Sequence, residues 1–74
     1  MDKTIYTKDH KFIIEQLKKA RIDAGFDQEK AAELLGKTQS YISKIEAGQR
    51  RIDIVQLKEI AKTYKKSLDY FIKK

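Results

Sequence analysis

Apolar residues recur along this chain at the three- and four-residue spacing of helices, and the pattern predicts an all-α domain of five helices. From about Lys8 to Ala24, Ile13, Leu17, Ala20 and Ala24 form one stripe with Arg21 at its edge. Gly25 ends this helix, and Phe26 is placed to plug the space before the next. Asp27 can cap a second helix, in which Ala31, Ala32, Leu34 and Leu35 provide a small-residue and leucine side for close packing. Asp53, with Gln56 three residues on, forms a capping-box pattern before a fourth helix whose inward side is Ile54, Leu57, Ile60, Ala61 and Tyr64. Ser67 caps a short last helix. Met1 to about Thr7 shows little periodicity and reads as an arm, with Ile5 or Tyr6 as a staple against the core or the arm itself as a second contact with a partner.

The most informative stretch lies between these elements, at about residues 27–47. Gly36 can take the left-handed conformation that stops a helix, and Thr38, two residues later, can accept a backbone N–H and start another. So short a turn forces the two helices to cross steeply, as in a helix-turn-helix. At about 100° per residue the third helix divides cleanly: Ile42 and Ile45 fall on one side, and Gln39, Ser40, Ser43, Lys44 and Ala47 on the other. The polar side holds amide, hydroxyl and ammonium groups and no acid. Those are the groups that read base edges in a major groove, where Gln can pair with adenine, Lys with guanine acceptors, and Ser with either.

Glu46 falls beside Ile42 on the inward side, where an acid needs a partner. Arg21, at the edge of the first helix's apolar stripe, is the natural choice; the alternative is two unrelated surface charges.

The order of Arg21, Gly25, Gln28, Ala32, Gly36, Ile42, Ile45, Glu46, Gly48, Leu57, Ile60, Ala61 and the closing Ser67-Leu68-Asp69-Tyr70-Phe71 resembles the lambda-repressor-like helix-turn-helix family, also called the Cro/repressor or XRE type. The resemblance runs from about Phe12 to Ile72. It implies a compact five-helix DNA-binding domain over residues 8–74, with base-reading residues at Gln39, Ser40, Ser43 and Lys44. Phosphate contacts would fall on Gln28, Thr38, Tyr41, Gln49, Arg50 and Arg51 and around Ala47, and an ion pair would join Arg21 to Glu46. The implied partner is double-stranded DNA with a pseudo-palindromic operator, bound by a homodimer acting as a repressor. Many relatives carry proline just before the fourth helix; Ile52 stands there in this chain. Leu68, Tyr70, Phe71 and Ile72 crowd large apolar groups into one turn and are assigned to the dimer interface, with simple core packing as the alternative.

Composition narrows the alternatives. Lys and Arg number 17 against 11 Asp and Glu, a formal charge of +6, which suits nucleic acid but also plain solubility. There is no cysteine, and lone His10, read as solvated, cannot assemble the roughly four ligands of a structural metal site. No metal or cofactor, no enzymatic activity, no membrane span and no small-molecule effector are expected, and the location expected is cytoplasmic. Lys62, Lys65 and Lys66 read as a solvated face. An antitoxin or accessory module with a protein partner, or a restriction-modification controller protein, are the other functions these features would serve.

Overall fold

A computed structural model describes residues 8–72 of the chain. Four α-helices follow one another, α1 (Lys8–Asp23), α2 (Gln28–Leu35), α3 (Gln39–Glu46) and α4 (Ile54–Thr63), and a 3-10 helix spans Leu68–Phe71. The fifth helix of the expected architecture is therefore a single tight turn. The arm, Ile5 and Tyr6 lie outside the described residues.

The caps explain why the chain breaks where it does. Asp27 Oδ1 accepts from Lys30 N at 2.8 Å, Thr38 Oγ1 from Tyr41 N at 3.1 Å, and Asp53 and Gln56 close a reciprocal capping box. Gly36 sits at φ 68°, ψ 31°, and the next N–H, of Lys37, returns to the Ala32 carbonyl at 2.8 Å. Ser67 occupies the N-cap position of the 3-10 helix, but its side chain makes no capping bond.

Leu17, Ala20, Ala31, Ala32, Ile42, Ile45, Leu57, Ile60, Ala61, Tyr64 and Phe71 form the buried core, to which every helix contributes. Ala31 and Ala32 are the small buried residues of α2, which packs against α3 and α4, and Ala20 is the small buried residue of α1, which packs against α3 and the 3-10 turn. The Phe26 ring stands 6.3 Å from that of Tyr64, filling the α1–α2 corner.

Several expectations need correction. Phe71 is 0% exposed, so it belongs to the core and is unavailable to a dimer interface; Tyr70 meets it edge-on at 5.2 Å, and Gln16 Nε2 donates to the Tyr70 carbonyl at 3.1 Å. Leu68 and Tyr70 are half-buried against the core, which leaves Ile72 as the exposed apolar residue of that segment. Ile54 is 56% exposed although it shares the stripe of Leu57 and Ala61: Val55 beside it is exposed too, and burial along α4 begins only at Leu57. Leu34 is also exposed, since it lies more than a quarter-turn from the face centred on Ala31, Ala32 and Leu35. His10 is half-buried rather than solvated: it precedes Ile13 by three residues and Leu17 by seven, which places it on the inward stripe. Lys66 is not simply solvated either. Its ammonium lies 4.7 Å from the centre of the Tyr70 ring and 3.5 Å from the Asp23 carboxylate.

Candidate nucleic-acid interface

α3 is anchored by its back. Ile42 and Ile45 are 2% and 3% exposed, while Gln39, Ser40, Ser43 and Lys44 are all exposed on the opposite side. Burying two isoleucines fixes the rotation of the helix about its axis. The polar row is thereby held outward by packing rather than by its own contacts.

A buried polar node fixes the position of α3 on the body. Arg21 on α1 donates from Nε to Glu46 Oε2 at 2.7 Å and from Nη2 to Glu46 Oε1 at 3.1 Å, a two-pronged ion pair. A third bond, Arg21 Nη1 to the Phe26 carbonyl at 2.8 Å, fastens the same guanidinium to the α1–α2 corner. Hydrogen bonding to Glu46 raises the Arg21 pKa above the ordinary arginine value, outweighing the opposing effect of burial. Gln28, at the start of α2, completes the node by donating from Nε2 to Glu46 Oε1 at 3.1 Å. One carboxylate on α3 thus holds side chains from both α1 and α2.

A second cluster flanks the N-terminal half of α3. Tyr41 is half-buried, with Lys37 Nζ 5.2 Å from its ring centre and Arg50 Cζ 4.8 Å from it. Burial raises the Tyr41 pKa, and nearby Arg50 opposes that rise, so the phenol is neutral at ordinary pH. Lys37 comes from the α2–α3 turn and Arg50 from the loop after α3, so the tyrosine gathers cations from both sides of the helix. Gln49, Arg50 and Arg51 are exposed on that loop, which is tied to α3 by a bond from Gln49 N to the Lys44 carbonyl at 2.9 Å.

The electrostatic result is one-sided. From Gly36 to Arg51 the charged residues are Lys37, Lys44, Arg50 and Arg51, all exposed, and Glu46, whose side chain is 7% exposed and committed to Arg21. Such a surface concentrates positive potential on exposed hydroxyl and amide groups.

The structure brings Tyr41 and Arg50 together and places Gln39, Ser40, Ser43 and Lys44 in one exposed row, whereas Gln28 is half-buried and bonded to Glu46. Lys37 is the cation that sequence reasoning passed over. Its signal was its place directly before the Thr38 cap, where its stem can turn back over residue 41.

The family model for helix-turn-helix proteins of the HTH_3 type matches residues 17–71. The chain belongs to the HTH_3 helix-turn-helix family. The span that matches this HTH_3 model begins at Leu17 and ends at Phe71, the two largest fully enclosed side chains of the core. Among solved structures, the chain is similar to an HTH_3 family transcriptional regulator from Vibrio cholerae, at 29% identity and a TM-score of 0.75. The match covers 84% of this chain and 35% of that one, so the HTH_3 chain described here spans about a third of the length of that regulator. No protein of curated function matches the chain. Among the described residues no helix is long and apolar enough to cross a membrane, and no group of three or more potential metal ligands converges.

Proposed function

We propose that this protein is a transcriptional regulator that binds double-stranded DNA through α3, and that it represses from a pseudo-palindromic operator as a homodimer in the cytoplasm. The observation that carries this reading is the division of α3 into a buried isoleucine back and an exposed, acid-free row of Gln39, Ser40, Ser43 and Lys44. In a major groove that row meets base edges, with Gln39 suited to adenine and Lys44 to guanine. Thr38, Gln28, Gln49, Arg50 and Arg51 serve the flanking phosphates, joined by Lys37 and by Tyr41, whose ring supports the Arg50 guanidinium. Two copies on adjoining half-sites put their α3 helices about 34 Å apart, one turn of DNA. Ile72, with the partly covered Leu68 and Tyr70, is the part of the C-terminal turn available to the second copy.

The test is selection of bound duplexes from a random pool by the purified protein, followed by titration of the selected site at several salt concentrations. A motif with two-fold symmetry should emerge. If the dimer neutralises roughly 6–10 phosphates, affinity should drop by about 10³ or more between 50 and 200 mM salt. A pool that stays random after repeated rounds would end the base-reading assignment.

A further inference from the structure

The bond between Gln28 and Glu46 has chemistry that the ion pair alone does not explain. A carboxylate with no proton only accepts, so the Gln28 carboxamide must turn its NH2 group toward Glu46, and this settles the orientation of the amide. Glu46 Oε1 takes both this bond and that from Arg21 Nη2, each at 3.1 Å. Gln28 is half-buried, so it is neither sealed in the core nor free to sweep its rotamers in solvent. One amide hydrogen is committed to Glu46, and the second remains available.

From this arrangement we propose that Glu46 is a positioning residue for DNA binding: it holds the Gln28 carboxamide in advance so that its second amide hydrogen meets a backbone phosphate at the edge of the groove. The inference rests on the DNA-binding reading above. The physical gain is preorganisation, because a glutamine already held by a buried carboxylate loses little rotamer entropy when phosphate arrives. The amide also separates two anions. Arg21 neutralises Glu46 from the α1 side, and Gln28 stands between that carboxylate and the phosphate with a donor toward each. A carboxylate that merely tied α3 to α1 would need only Arg21.

The test is a double-mutant cycle on the full chain, measuring affinity for the selected operator and the thermal midpoint of each free protein. Gln28→Ala should weaken binding roughly tenfold, the low end of what a hydrogen bond to a charged group contributes. Glu46→Gln should weaken it at least as much. In the double variant Gln28→Ala should add little to the loss already caused by Glu46→Gln, because the contact is then already gone, instead of giving the roughly hundredfold product of independent effects. Since Gln28 carries no charge, the salt slope should stay that of the native protein in Gln28→Ala. Ethylation of one and the same phosphate should cease to interfere with binding in both single variants.

Multiplicative losses, or wild-type affinity in Gln28→Ala, overturn the inference while leaving the DNA reading intact; failure of the native protein to select any DNA overturns the reading itself. Should Glu46→Gln unfold at the assay temperature, NMR of the native protein without DNA decides the matter. The two side-chain amide protons of Gln28 should be well separated and slow to exchange. Shifts and exchange like those of a freely solvated glutamine would overturn the proposal.

Discussion

Replacing Arg21 by methionine keeps most of the side chain's volume and removes every donor. Arg21 is 8% exposed and makes three hydrogen bonds, two to a Glu46 side chain that is itself 7% exposed and one to the Phe26 carbonyl. After Arg21→Met the carboxylate retains the neutral Gln28 amide and loses its counter-charge. Breaking a buried pair in this way costs about 3–5 kcal/mol. A chain of 74 residues has a total stability of about 4–11 kcal/mol at roughly 0.05–0.15 kcal/mol per residue, so the loss ranges from about a quarter of the stability to more than all of it. The thermal midpoint should fall by about 12 °C or more, and the urea midpoint should fall with the m-value unchanged. Glu33→Gln is the control. Its 3.3 Å pair with Lys30 is open to solvent on both sides, and the change should stay within about 0.5 kcal/mol. Arg21→Met combined with Glu46→Met should recover most of the loss, because the desolvated charge is then gone. A single variant that loses less than about 1 kcal/mol, or a double variant no better than the single, would refute the account of a buried, mutually dependent pair.

Other consequences follow from particular positions. Lys65 holds φ 61° at the end of α4, a conformation that costs a residue with a Cβ about 1–2 kcal/mol; Lys65→Gly should therefore raise the thermal midpoint by a few degrees, after part of the gain is offset by glycine's freedom in the unfolded chain. Burial, with the Glu46 carboxylate adding to it, pushes the Tyr64 phenol up to about 12 from an ordinary 10, so its contribution to stability is complete below about pH 10 and is lost as pH rises toward 12. Tyrosinate absorbance should accordingly show one of the four tyrosines ionising only as the protein unfolds in alkali. Lys44→Ala should cost about 1–3 kcal/mol and relax preference at one base position, whereas Arg50→Ala and Lys37→Ala should each weaken all sequences alike and reduce the salt slope by about 1, measured by titration against the selected site and a scrambled one.

Much of the molecule was legible because local chemistry decides it. Asp27, Thr38 and Asp53 cap helices with bonds that span three residues, and Gly36 stops α2 with its own backbone, so no distant contact is needed to place those boundaries. The exposed row on α3 was equally readable, since the rotation of an amphipathic helix follows from its isoleucines. The errors lie where periodicity identifies a face but says nothing of what covers it. Ile54 and Leu57 share a stripe on α4, and only the second is covered. Phe71 and Ile72 are neighbours of similar hydrophobicity, and the turn sends one to the centre and the other to solvent.

By itself, then, the sequence determined the helices, their caps, the tight turn and which side of α3 carries polar groups, because these depend on residues within a few positions of one another. The tertiary structure alone decided which apolar positions are covered, that Lys37 and Arg50 meet at Tyr41, and that Gln28 joins the expected Arg21–Glu46 pair on the same carboxylate. Those are encounters between side chains 4 to 25 positions apart, set by how the helices cross, and helical spacing along any one element does not encode the crossing.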